Sequence, residues 1–196
     1  MKKNRLLHLL LLLLSLTALG QNATLSRLDY VNQSANELIA KKTDTICVYE
    51  TFDENKQPSH THYIFWRSKG KTKVQKIDPD KANKITEVPM DAFWQNLFSN
   101  IELVKNEEAR MYQYEETADD KKEINTIITE VGDIAQFSVF LNGDITEFWL
   151  NRFDLKESDE TNNKKTVNIN AEFNNSLKGK QILDQLNEIT MRLEKK

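Results

Sequence analysis

Glycine, proline and cysteine are all scarce, at five, three and one in 196 residues. With Cys47 alone no intramolecular disulfide can form, so a hydrophobic core must hold the fold without covalent staples. Five glycines leave no glycine-rich loop to cradle a phosphate, and no P-loop, dinucleotide fingerprint, G-x-S-x-G or H-E-x-x-H pattern occurs. No cofactor is therefore expected. Cations are in deficit too, with 27 Lys and Arg against 30 Asp and Glu. An acidic chain is poorly suited to a phosphate backbone, so nucleic acid is not an expected partner. The longest apolar run also falls short of the ~20 residues that a spanning helix needs.

That run has another use. Lys2, Lys3 and Arg5 form a positive start, Leu6–Leu16 is interrupted only by His8 and Ser15, and Ala18 and Gly20 sit three and one residues before Gln21. This is the tripartite pattern of a secretory signal peptide, predicting a cut between Gly20 and Gln21. A membrane anchor is the rival, but Leu6–Leu19 supplies only fourteen positions before the chain turns polar. No cysteine follows the cut to carry a lipid. The expectation is a signal peptide over 1–20 and a single domain over 21–196, working in the periplasm or outside the cell with no stable membrane insertion. Without Lys2, Lys3 and Arg5, 24 cations remain against 30 acids, a balance of −6.

Along the mature chain, Leu28, Val31, Ala35, Leu38 and Ile39 predict an amphipathic helix over 25–42. Strands are expected over 45–51, 60–68 and 72–77, the second apolar on both faces and the third a lysine-bearing sheet edge, joined by a turn at Ser68-Lys69-Gly70-Lys71. Phe93, Trp94, Leu97, Phe98 and Ile101 stripe a middle helix that starts near Pro89 and Asp91. Residues 105–123 are so rich in charge that they read as solvated, without core-forming content. Alternation in Ala135–Leu141, then Asn142-Gly143, then Ile145–Leu150 is a hairpin with a type I′ turn. A loop over 156–165, a strand over 166–172 and a last helix over 176–195 complete the chain. The sum is an α+β domain, a mainly antiparallel sheet of about five or six strands with flanking N-terminal, middle and C-terminal helices.

Tyr63-Ile64-Phe65-Trp66, Lys76-Ile77-Asp78, Phe93-Trp94, Asn168-Ile169-Asn170 and Phe173-Asn174-Asn175-Ser176-Leu177-Lys178 together resemble small secreted or periplasmic proteins of Bacteroidota with no assigned function. The resemblance implies an envelope or secreted location and brings no catalytic residues.

Few residues carry recognisable chemistry. His60 and His62 share a strand face, so both imidazoles could grip one metal, with Glu50 or Asp53 nearby as further ligands. The plainer reading is two polar residues at the mouth of a strand. Cys47 could be drawn beside a histidine as a nucleophile, but its Ile46, Val48 and Tyr49 neighbours point to burial. Arg67, Lys69, Lys71, Lys73 and Lys76 have no acid among them and could meet an anionic partner, or simply guard a sheet edge. Asp44-Thr45-Ile46 matches a short O-glycosylation pattern. Trp66, Trp94 and Trp149 fall in apolar segments and read as core. The function expected is a non-enzymatic binding module for an envelope protein or glycan. A small-ligand or metal site at His60 and His62 is the alternative, and a hydrolase without a familiar motif comes third.

Overall fold

Lys69 and Asn142, each followed by glycine, have φ of +53° and +52°, and Gly70 and Gly143 have +75° and +97°. These left-handed pairs close two tight hairpins. One joins β2 (Thr61–Ser68) to β3 (Lys71–Asp78), and the other joins β8 (Ile134–Leu141) to β9 (Asp144–Asn151). Between the hairpins lies β1 (Thr45–Thr51), paired antiparallel to β2 on one side and to β8 on the other. Two short strands, β4 (Lys81–Ala82) and β5 (Thr86–Val88), line the far edge of β3, giving the order β4-β3-β2-β1-β8-β9 with β5 also on β3. The computed structural model describes residues 25–43, 45–51, 61–78, 81–118, 121–128, 134–161 and 164–195. The expected signal peptide, Asp44, Asp53 and His60 lie outside them.

Strand alternation gives the sheet two apolar faces. Cys47, Tyr49, Tyr63, Phe65, Val74, Phe137, Val139, Phe148 and Leu150 point to one side. They pack with Phe93, Trp94, Leu97 and Ile101 of helix α2 (Asp91–Val104), and with Ile182, Leu183 and Leu186 of the long C-terminal helix, Lys178–Glu194. Ile46, Ile64, Trp66 and Ile77 point to the other side, where Val31 and Leu38 of helix α1 (Leu25–Ala40) cover them. Each fully buried side chain of this size contributes about 1.5–3 kcal/mol relative to exposure. Polar staples fix the helices in register. Trp94 Nε1 donates to Thr72 Oγ1 at 2.8 Å, and Asn96 donates to Gln185 at 3.0 Å. At the far end Tyr63 Oη donates to Glu194 at 2.8 Å, and Lys76 bonds the same carboxylate oxygen at 3.1 Å.

Three expectations need correction. β3 is not the sheet edge, because β4 and β5 pair with it. The segment 105–123 is not free of core content: Tyr112 is fully buried, and β6 (Gln113–Ala118) and β7 (Lys121–Thr126) form a hairpin there. The strand expected over 166–172 stops at Val167, and the loop before it holds another hairpin, β10 (Ser158–Thr161) with β11 (Lys164–Val167). The chain then enters a short helix, α3 (Ala171–Ser176), which leads into the C-terminal helix, α4 (Lys178–Glu194). The α+β class and the antiparallel sheet with N-terminal, middle and C-terminal helices are as expected.

Gly179, in the first turn of α4, sits against the Phe148 ring. A Cβ there would lie 2.3–2.5 Å from Phe148 ring atoms, including Cγ, the atom least able to move. Gly179→Ala should therefore destabilise the chain by about 1–3 kcal/mol, although alanine alone would favour the helix. Urea unfolding measures this, and co-substitution of Phe148→Leu should recover part of the loss.

Candidate functional site

Beyond the edge of β9 the chain is organised by asparagines. Asn174 is fully buried; its Nδ2 donates to Arg110 O at 2.7 Å and to Asp154 O at 2.9 Å, and its Oδ1 accepts from Arg110 N at 2.9 Å. Asn168 Nδ2 donates to the carbonyls of Asp154 and Lys156, while its Oδ1 accepts from Gln113 N and Asn170 N. Asn170 Nδ2 reaches Met111 O and Gln113 Oε1. These amides satisfy backbone that neither helix nor sheet satisfies, and so hold the irregular segment 106–113 in place. Asp154, in the 3-10 turn Arg152–Leu155, accepts from Tyr112 N at 2.7 Å. Burial pushes its carboxyl above the ordinary range, and the Tyr112 amide opposes that push.

The network also lines up the two small hairpins. Ile169 N donates to Gln113 O at 2.8 Å, and Tyr112 Oη donates to Thr166 O at 3.0 Å. These bonds bring the segment after β11 against the start of β6, and Lys164 of β11 meets Glu116 of β6, although the two hairpins remain separate two-stranded sheets. Across the β6–β7 ladder Glu115 faces Ile124 and Gln113 faces Thr126, and the Ile127–Tyr112 backbone bond carries the pairing on to Met111 and Ile128. By strand parity Tyr112 and Asn168 point inward, and Met111, Ile124, Ile128, Val167 and Ile169 all point out. These five aliphatic side chains are between 46% and 78% exposed. β7 lies at the margin of this face, paired with β6 alone among the described strands.

Met111 and Gln113 also border a groove of about 890 Å³, whose other walls include Trp149, Arg110, Phe173 and Glu108. Trp149 is 60% exposed, whereas Trp66 and Trp94 are buried at 5% and 1%. The expectation that all three tryptophans are core thus fails for Trp149. Phe148 and Leu150 take the inward positions of β9, and parity sends the residue between them outward. Arg110 lies over the Phe173 ring, 3.7 Å from its centroid. Glu107 accepts from the Lys178 and Gly179 amides at 2.9 and 2.8 Å, closing the start of α4.

The residues singled out from sequence sit elsewhere. His62 is buried on the α1 side of the sheet, its Nε2 3.5 Å from Glu50 Oε1, and its Nδ1 has no hydrogen-bond partner among the described residues. Gln136 donates to the other oxygen of Glu50. His60 lies outside the described residues, and among those residues no three of His, Cys, Asp and Glu gather as metal ligands would. Cys47 is fully buried on the opposite sheet face from His62, so the two cannot pair, and burial pushes its thiol well above the ordinary range. Arg67, Lys69, Lys71, Lys73 and Lys76 divide between surfaces. Lys71 and Lys73 point to one face and Lys76 to the other; Lys71 meets Glu87 at 2.8 Å, and Lys76 meets Asp78 and Glu194. Thr45 is buried, so its hydroxyl does not offer the accessible glycosylation site that the Asp44-Thr45-Ile46 pattern requires. No helix among the described residues is long and apolar enough to cross a membrane.

No protein-family model matches the chain, and neither does any curated protein or solved structure.

Asn174→Ala would leave the Arg110 N–H and C=O without their partner and the Asp154 carbonyl with Asn168 alone, and should cost about 2–5 kcal/mol in urea unfolding. Asn175→Ala, at an exposed neighbour, should cost well under about 1 kcal/mol. Asp154 gives a pH signature. Its raised folded value means that its contribution to stability is complete below the ordinary aspartate range and declines as pH rises through the folded value. Asp154→Asn keeps an oxygen for the Tyr112 amide and removes the titration. Its stability relative to the wild type should therefore rise across that window, as read by unfolding at a series of pH values.

Proposed function

We propose that this chain is an exported interaction module that binds an envelope protein through the outer face of β11, β6 and β7. The observation that carries the reading is that Met111, Ile124, Ile128, Val167 and Ile169, in and beside two neighbouring hairpins, are all exposed. Clusters of exposed apolar side chains mark interaction sites. The adjacent edge of β7 offers backbone amides and carbonyls to an extended partner strand, with apolar side chains beside it to select the sequence. The tripartite N-terminus supports export, and with it a partner in the periplasm or at the cell surface.

A second reading is favoured by one observation, the buried His62 imidazole whose Nδ1 has no partner among the described residues. There His62 with His60 would hold a metal or small ligand. Metal analysis of the purified protein and of His60→Ala/His62→Ala decides it, since a stoichiometric metal lost in the double variant would establish that site.

The interaction reading is tested by placing a photo-crosslinking residue at Thr126 in the tagged full-length chain, expressed in the cell that makes it, with Asp184 on α4 as the control position. A discrete adduct is expected from Thr126 and not from Asp184. Ile124→Ser/Val167→Ser should reduce it about tenfold or more, because truncated apolar anchors dominate such interfaces. Both side chains are exposed, so folding stability should change by no more than about 0.5 kcal/mol per site. Adducts that are absent, or equal at both positions, would sink the proposal. The same material reports export: the extracytoplasmic product should begin at Gln21.

A further inference from the structure

We infer that the groove beside Trp149 is a binding site for a neutral oligosaccharide, with a sugar ring stacked on the indole. This inference does not rest on the partner reading above, which concerns a different surface. A pyranose has one face of C–H groups and a rim of hydroxyls that both donate and accept. It needs an exposed aromatic plate surrounded by mixed polar groups, within a cleft that stays open. Trp149 supplies the plate, being 60% exposed in a chain whose other two tryptophans are buried. Around the same groove stand Glu108, whose carboxylate accepts, Arg110, whose guanidinium donates, and Ser176, whose hydroxyl donates to Phe173 O and keeps its acceptor lone pairs. The groove, about 890 Å³, lies within the usual size of ligand sites.

The alternatives fit less well. A nucleobase would want a second free aromatic face, but Arg110 already stacks on Phe173, the other aromatic residue that borders the groove. An anion would want excess positive charge, whereas Arg110 shares the rim with Glu108, and Glu107 lies beside them. A lipid tail would want an enclosed apolar tunnel. The walls are also set in advance. Asn174 holds the Arg110 backbone from both its N–H and its C=O, and Asn168 and Asn170 hold Gln113. Recognition therefore requires little ordering of the protein, which favours affinity for a flexible, hydrated ligand.

Tryptophan emission provides the test, because Trp149 is the accessible indole of the three. The full mature chain is titrated with a panel of neutral gluco-, manno-, xylo- and N-acetylglucosamine oligomers, each free and coupled to albumin. At least one sugar should give a saturable blue shift and protect the emission from acrylamide. Trp149→Ala should abolish the response with an unchanged circular dichroism spectrum, and Arg110→Ala should weaken binding about tenfold, the loss of one good hydrogen bond. Equal binding of free and coupled sugar would assign a soluble oligosaccharide, and preference for the coupled form a surface glycan. Ile124→Ser/Val167→Ser should leave the response intact, which keeps this test separate from the crosslinking one. A panel without any response up to ~10 mM, or a response that survives Trp149→Ala, would overturn the inference.

Discussion

Asn174 has no solvent contact, and its amide serves three backbone groups drawn from two distant stretches of chain. A buried amide is tolerable only when its valences are met, and backbone outside helices and strands has the same need. Here the two requirements answer each other. The segment 106–113 has no ladder of its own until β6 begins, and the 3-10 turn after β9 leaves carbonyls pointing inward. Asn174, with Asn168 and Asn170, satisfies both. Removing any one of these amides would expose several groups at once, so this end of the molecule is held cooperatively by polar bonds and not mainly by packing.

The main sheet follows a different logic. Both its faces are apolar and both are covered, by α1 on one side and by α2 with α4 on the other. The two small hairpins, β10 with β11 and β6 with β7, bring Tyr112 inward as their fully buried residue and carry exposed aliphatic side chains on the other side. They are therefore an appendage whose position the asparagines dictate, while their free side is available for contact. That division places the proposed interaction surface on a part of the molecule that contributes little to the hydrophobic core.

Much of the main sheet was legible because its signals are local. Asn142-Gly143 fixes one hairpin, Lys69-Gly70 the other, and the alternation of Phe137 and Val139 assigns their faces by parity alone. The helical stripes of Phe93, Trp94, Leu97 and Ile101 and of Ile182 and Leu186 are equally local. The two small hairpins were not legible, because charged residues occupy both faces and hide the alternation, and the bond that brings them together, Ile169 to Gln113, joins residues some fifty positions apart. The asparagine motif was visible as a string of letters. Its role was not, since a side-chain amide bonded to remote backbone leaves no periodic trace. Trp149 is the avoidable miss: with Phe148 and Leu150 inward, parity already sent it outward. His62 gave the opposite lesson, since a polar residue at a strand mouth proved to be buried beside Glu50.

Helix α4 is held at both ends. Glu107 grips the amides of Lys178 and Gly179, and Glu194, 15 residues past Gly179, is gripped in turn by Tyr63 and Lys76. Between these clamps its 17 residues span about 25 Å, a strut cut to length across the sheet. A single inserted or deleted residue would advance one clamp by about 1.5 Å and rotate it by roughly 100°, so no partial slip could keep both. Amino acids along the exposed side of α4 are free to drift over evolutionary time, whereas the number of residues between Gly179 and Glu194 is not.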